Sequence, residues 1–161
     1  MAIQAYLSVK GRKQEQFKSE TLKAGRTDKW MTVLSIGMDL QTPIDPATGQ
    51  ASGKRQWRPI KIVKEWGAAS PQGLAACATN EDLTEVRVEF VKLQPTGIEE
   101  VYQAITLTEA LLTEIRRFVA GDIAQPAANS LLEEWSFTFR KIEVKDNDGG
   151  TSFEDTFSTV T

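Results

Sequence analysis

Apolar and polar residues alternate one by one in several segments of this chain of 161 residues. In the first such segment, Ile3, Ala5, Leu7 and Val9 are separated by single residues that are polar or aromatic. The same period of two returns in segment 83–93. A period of two places every second side chain on the same face of an extended strand. The pattern therefore predicts strands that bury one face, which is typical of antiparallel sheets.

Five further segments are predicted to be strands: 30–40, 55–66, 101–107, 131–144 and 151–160. One short helix is predicted at about residues 70–80, because Ser70 is a good N-cap, Pro71 suits the first helical position and Asn80 can end a helix. Seven or eight strands with one helix predict a mainly β fold, in which two antiparallel sheets form a barrel or sandwich. The length fits a single domain that spans residues 1–161.

Segment 109–118 is ambiguous. Leu112, Ile115 and Phe118 lie at helical spacing, so local rules favour a helix. The alternative is a long bent strand that continues from the preceding segment, with a change of phase near Thr108. The residues alone leave both alternatives open.

Residues 42–54 form a segment of a different kind, with two prolines, two glycines and no periodicity. These features predict an extended loop. Loops of this length inside a domain are usually functional or disordered.

The composition argues against several classes of function. The chain has no histidine, the commonest general base and metal ligand at neutral pH. Its single cysteine, Cys77, allows neither an intrachain disulfide nor a thiolate metal cage. The formal net charge of −3 offers no basic surplus for nucleic acid. We therefore expect no catalytic, cofactor-binding or metal-binding residues and no nucleic-acid partner.

The remaining charged motifs have plain structural interpretations. The acidic turn 146–150 lacks two ligand positions of a calcium loop and is predicted to be a hairpin turn. The carboxylate pairs Glu99–Glu100 and Glu133–Glu134 point to opposite faces of a strand, so each pair is predicted to be solvated rather than catalytic. A basic run is predicted either to be a solvated strand face or to meet an acidic surface of a neighbouring copy or of a partner. It consists of Lys54, Arg55, Arg58, Lys61 and Lys64.

The N-terminal segment has neither a basic region nor a continuous apolar run, so it does not resemble a secretory signal. No stretch approaches the ~18 apolar residues of a membrane span. Membrane insertion is therefore not expected. Any export is expected to occur without a cleaved signal peptide.

Four segments, taken in order, resemble the haemolysin-coregulated protein (Hcp) family of bacterial type VI secretion systems. They are 5–11, 51–71, 99–107 and 134–143. The second carries the most specific motifs, which are Ser52-Gly53-Lys54-Arg55, Pro59-Ile60, Lys64-Glu65 and Ala69-Ser70-Pro71. Each motif alone is modest, and the resemblance rests on their shared order along nearly the whole chain.

The resemblance implies a β-barrel-like domain with the helix packed on its side, and it implies that segment 109–118 is strand. It implies a structural protein without a catalytic site, of which six copies close into a ring and rings stack into a tube. The expected partners are further copies and the sheath, spike and effector proteins of the secretion system. The expected location is the bacterial cytoplasm, followed by secretion.

In this family the long loop tends to reach neighbouring subunits or rings, so the resemblance implies that the loop at 42–54 contacts other copies. The residues expected to make these contacts are Pro43, Ile44, Asp45, Pro46, Lys54 and Arg55.

Two alternatives belong to other classes of function. A monomeric β-barrel that binds a small molecule in its interior is compatible with the strand count. A β-rich hydrolase with two Asp or Glu residues would require a carboxylate pair with a raised pKa in a cleft.

Overall fold

The structure is a computed structural model that describes residues 3–127 and 130–157. The strands and the helix are β1 (Ile3–Gly11), β2 (Glu15–Gln16), β3 (Met31–Val33), β4 (Ser35–Gly37), β5 (Leu40–Gln41), β6 (Gln56–Trp57), β7 (Ile60–Glu65), α1 (Ser70–Thr79), β8 (Asp82–Leu93), β9 (Glu99–Val119), β10 (Leu131–Asp146) and β11 (Thr151–Thr156).

The larger sheet follows the order β2-β1-β8-β9-β10-β7-β4, and all its neighbours are antiparallel. Its two ends are joined because β3 pairs with β1 through Ala5 and Val33, while β4 pairs with β7 through Ser35 and Val63. Leu34 alone separates β3 from β4, and its backbone N–H donates to the Val63 carbonyl at 2.9 Å. The sheet therefore closes on itself as a barrel.

A second, small sheet consists of β5 and β6. With one helix and antiparallel strands among the described residues, the architecture confirms the predicted fold class. The segment predicted as a single strand at 30–40 is instead divided into β3, β4 and β5. It is divided because its three parts pair with different strands, β3 with β1, β4 with β7 and β5 with β6. Residues 158–160 of the last predicted strand lie outside the described residues.

Strand β9 settles the ambiguous segment in favour of a strand, since it continues without interruption from Glu99 to Val119. Ile105 and Leu107 face the core before the change of phase, and Ala110 and Leu112 face it afterwards. Glu109 lies between the two pairs with a φ of 51°, which reverses the alternation. A register shift opposite Ser136 and Phe137 adds a second change of phase between Leu112 and Glu114, and the two irregularities together give a bent strand the spacing of a helix.

Helix α1 packs on the side of the barrel through Gly73 and Ala76, which are both buried. Asn80 ends it in the left-handed conformation, as predicted. The N-cap, however, is Ala69, and it makes no side-chain hydrogen bond to the helix. The prediction of Ser70 as N-cap was wrong, because its hydroxyl donates to the buried Glu133 carboxylate at 2.8 Å instead.

The interior of the barrel is filled by one cluster of buried apolar side chains, in which Trp135, Phe137 and Phe17 are the largest. Phe17 and Phe137 both contact the Trp135 ring, at centroid distances of 6.4 Å and 6.2 Å. The alternative of a ligand held inside the barrel gains no support from this packing. Within the described residues, no helix has the length and apolarity needed to span a bilayer.

Candidate interaction surface

Residues 40–57, here called the arm, leave the barrel after β4 and return before β7. At the base of the arm, Leu40 pairs with Trp57 and Gln41 pairs with Gln56. A further bridge joins Ile44 to Ala51. The predicted loop at 42–54 is thus the outer part of a two-stranded projection.

The tip of the arm is a turn organised by Asp45. The Asp45 N–H donates to the Gln50 carbonyl at 2.8 Å, and the Gly49 N–H donates to the Asp45 carbonyl at 2.7 Å. The Asp45 carboxylate accepts a third bond from the Ala47 N–H at 2.9 Å. Gly49 has a φ of 71°, which favours glycine. These bonds give the tip a defined shape without help from the barrel.

Six residues were expected to contact other copies. Four of them lie near the tip of the arm, namely Pro43, Ile44, Asp45 and Pro46. Ile44 is 59% exposed. Lys54 is also exposed, in the returning half of the arm before β6. The use of these residues in contacts between copies stays a prediction.

Arg55 is the sixth residue that was expected to contact other copies, but its side chain contacts its own barrel. Its guanidinium forms a two-bond ion pair with Asp155 on β11. The Trp57 indole N–H donates to the same carboxylate at 2.8 Å. These three residues, here called the clamp, hold the base of the arm. Asp155 lies about a hundred positions from its partners, and no sequence pattern pointed to it.

The pKa of Asp155 is lowered from its ordinary value by the Arg55 hydrogen bonds; burial opposes the shift and the Trp57 bond adds to it. The clamp is therefore fully formed above the ordinary pKa of about 3.9, and it is lost as the pH falls through the lowered pKa. We expect a ¹³C NMR titration of the Asp155 carboxyl to give a midpoint below that of a model aspartate. A midpoint at or above about 3.9 would contradict the clamp.

Replacement of Asp155 by Asn is expected to loosen the arm without unfolding the barrel. The Arg55 pair loses its charge, while the core remains intact, so the free energy of unfolding should fall by only about 1 kcal/mol. Hydrogen exchange of amides in the arm should accelerate about fivefold, which is the same free energy expressed as a change in the opening equilibrium. Glu154→Gln is the matched control, since that carboxylate is exposed and lies 3.7 Å from Lys141. Equal exchange in both variants would rule out the clamp.

A buried ionic cluster lies between β7, β10 and the start of α1. The Lys64 Nζ lies 2.6 Å from a Glu133 oxygen and 2.8 Å from a Glu20 oxygen. The Lys64 and Glu133 side chains have no exposed surface. The second Glu133 oxygen lies 3.2 Å from the Arg117 Nε. Two predictions were therefore wrong: Lys64 does not belong to a solvated basic face, and Glu133 is not solvated. Burial is tolerated because the four charges balance.

Next to this cluster lies an open groove of about 520 Å³. Its apolar walls are Leu22, Leu34 and Trp66, and its acidic side chains are Glu20 and Glu65. Leu22 is 96% exposed and Leu34 is 41% exposed. The hydroxyl groups along the groove come from Ser19, Thr21, Thr27 and Thr32. No motif in the sequence predicted this groove, because it is formed by residues 19–34 and residues 65–68, which are distant along the chain.

The carboxylates with shifted pKa values are shifted downward. Burial alone would raise the pKa of Glu81, but hydrogen bonds from Gln14 and the Lys13 backbone lower it overall. Burial likewise opposes the lowered pKa of Glu89, which accepts hydrogen bonds from Arg87 and Arg26. Carboxylates held ionised in this way serve as partners of cations and donors rather than as general acids.

The chain is similar in sequence and in fold to proteins of type VI secretion systems. The family model described as "Type VI secretion system effector, Hcp" matches residues 6–145. The chain is 32% identical to the "Major exported protein" of Pseudomonas aeruginosa, over 96% of this chain and 95% of that one. It is similar to a crystal structure of an Hcp protein, with a TM-score of 0.88, 22% identity and coverage of 99% and 100%.

A secreted Hcp3 protein from Pseudomonas aeruginosa is also similar, with a TM-score of 0.75, 26% identity and coverage of 98% of this chain and 100% of that one. The match in sequence and the match in fold both extend over almost the full length. The chain therefore belongs to the Hcp family of type VI secretion system tube proteins.

Proposed function

We propose that this protein is the repeating subunit of a secretion tube, in which six copies close into a ring and rings stack. The observation that carries the proposal is the family match over residues 6–145, together with an arm that makes few contacts with its own barrel beyond the base. A closed ring requires two different patches on each copy that meet head to tail. The arm supplies one such patch.

The partners proposed for the assembled tube are the sheath, the spike and the effectors of the type VI system. The proposed route begins in the bacterial cytoplasm and ends outside the cell, without a cleaved signal peptide. The name of the 32% identical relative, which describes an exported protein, supports this route. We further propose that the chain is not an enzyme, because its shifted carboxylates are held ionised by hydrogen bonds.

Native mass spectrometry of the full chain tests the ring. We expect a dominant species of six copies at micromolar concentration, and rings with a central opening in negative-stain micrographs. A monomer across the whole concentration range, with no rings, would overturn the proposal.

The arm itself is tested by replacing residues 43–54 with a short Gly-Ser linker. The clamp and the ladder at the base stay in place, so we expect the barrel to keep its melting temperature within a few degrees. Assembly is expected to weaken at least tenfold. We propose that residues 43–54, including Pro43, Ile44, Asp45, Pro46 and Lys54, serve contacts between copies more than they serve folding of the monomer. If the shortened protein unfolds, or if it assembles and is secreted normally, this proposal is wrong.

A further inference from the structure

The groove bounded by Leu22, Leu34 and Trp66 is left without an occupant by the fold and by the proposed function. We propose that it receives the arm of a second copy of this chain. This inference rests on the proposed function, since it names the receiving surface for the arm. Four observations support it.

The first observation is the placement of the two surfaces. Strands β4 and β7 pair from Ser35 with Val63 to Gly37 with Lys61. The arm begins and ends beyond the Gly37 end of this pair, whereas Leu34 and Glu65 of the groove lie at its other end. The five residue steps of β7 separate the two ends by about 17 Å. A projection at one end and a recess at the other form a heterologous contact, which repeats from copy to copy.

The second observation is the match of apolar surface. The arm exposes Ile44, and Leu40 at its base is 47% exposed. The groove exposes Leu22 and Leu34 beside the half-buried ring of Trp66. A volume of about 520 Å³ lies in the range of binding clefts that take up several side chains. Docking removes both apolar patches from water at once.

The third observation is the match of charge. Lys54 on the arm is exposed, and Glu65 at the groove is exposed. Among the described residues, neither side chain takes part in an ion pair. Glu20, by contrast, is held by Lys64 and by the Ala69 N–H at 2.9 Å. Glu65 is therefore the carboxylate of the groove that remains available for an incoming cation.

The fourth observation concerns hydrogen bonds. Within the described residues, β5 and β6 pair only with each other, so each strand of the arm has one edge with unpaired backbone groups. Unpaired backbone groups at a strand edge can form hydrogen bonds with another chain. The hydroxyl groups of Thr27 and Thr32 offer donors and acceptors at the walls of the groove, whereas those of Ser19 and Thr21 already bond to backbone groups of their own chain.

Disulfide trapping tests the contact directly in the full chain. In a Cys77→Ala background, Ile44→Cys and Leu34→Cys are combined, and the protein is oxidised at a concentration at which it assembles. We expect covalent dimers and higher multiples on a non-reducing gel, at least ten times more than in either single-cysteine variant. The matched control combines Leu34→Cys with Ile98→Cys, because Ile98 is 64% exposed but lies in a different turn.

A native mass spectrum of the Cys77→Ala protein distinguishes failure of the groove inference from failure of the proposed function. If that protein forms rings but the Ile44–Leu34 pair is trapped no better than the Ile98–Leu34 control, the groove is not the receiving surface and the proposed function stands. If it is monomeric at every concentration, the proposed function fails and the inference fails with it.

A charge reversal gives a second, independent readout. Lys54→Glu and Glu65→Lys are each expected to raise the dissociation constant of assembly about two- to fivefold, the size of an exposed ion pair. The double variant is expected to return to within twofold of the original value, because the pair is restored with opposite sign. Additive losses in the double variant would show that the two residues do not meet.

Discussion

Replacing Lys64 with Met is expected to lower the free energy of unfolding by about 3–5 kcal/mol. The Lys64 Nζ lies within hydrogen-bonding distance of Glu20, Glu133 and the Glu65 carbonyl oxygen. Its removal leaves the fully buried Glu133 carboxylate with Arg117 as its remaining cation, at 3.2 Å. An uncompensated buried charge costs more than the pair itself contributes. Chemical denaturation of the isolated chain at low concentration measures the effect.

Lys61→Met is the matched control. Lys61 lies on the same strand, but its side chain is 55% exposed and its nearest carboxylate, that of Glu134, is 4.0 Å away. We expect a change within about 0.5 kcal/mol there, as for most surface substitutions. The double variant Lys64→Met/Glu133→Met should recover part of the loss, because Glu20 and Arg117 then balance. A loss for Lys64→Met no larger than that for Lys61→Met would contradict the buried ionic cluster.

Replacing Gly73 with Ala is expected to destabilise the fold by about 1–3 kcal/mol, the usual cost of overpacking a core. A Cβ at this position would lie 2.4 Å from one atom of the Trp135 ring and 2.7 Å from another. The ring has no exposed surface, and it is held between Phe17 and Phe137, so it has little room to shift. The helix must therefore move away from the barrel. Thermal unfolding measures the loss.

Gly37→Ala is the control for this change. Gly37 lies in β4 with open space around the position of an added Cβ, so we expect almost no change in melting temperature. Combining Gly73→Ala with Trp135→Phe tests the cause, because the smaller ring removes the atoms in conflict. The double variant should lose less stability than the sum of the two single variants. Strict additivity would contradict the contact between Gly73 and Trp135.

The helical spacing of segment 109–118 shows where local rules fail. Leu112, Ile115 and Phe118 have the spacing of a helix face, yet they belong to β9. The left-handed Glu109 and a register shift opposite Ser136 change the phase of the strand. The resemblance to Hcp proteins predicted a strand for this segment, and the structure confirms it. The resemblance contains information about tertiary structure that periodicity lacks.

Charged residues show a second limit. The sequence placed Glu133 and Glu134 on opposite faces of one strand, and the structure agrees. It did not indicate that the Glu133 face is closed by Lys64 and by the start of α1. Burial of a charge depends on a partner of opposite sign, and here that partner comes from a strand about seventy positions away. Local composition therefore predicted a solvated carboxylate where the fold has an ion pair.

The sequence by itself determined the mainly β class, the helix near residues 70–80, the extended segment at 42–54 and the family. These features depend on alternation, on turn residues and on motif order, which are local or can be read in sequence order. Only the tertiary structure decided the closure of the barrel through β3 and β4, the clamp of Arg55 on Asp155, and the groove beside Leu34. Each of these joins segments that are distant along the chain, and their contacts arise only when the backbone closes.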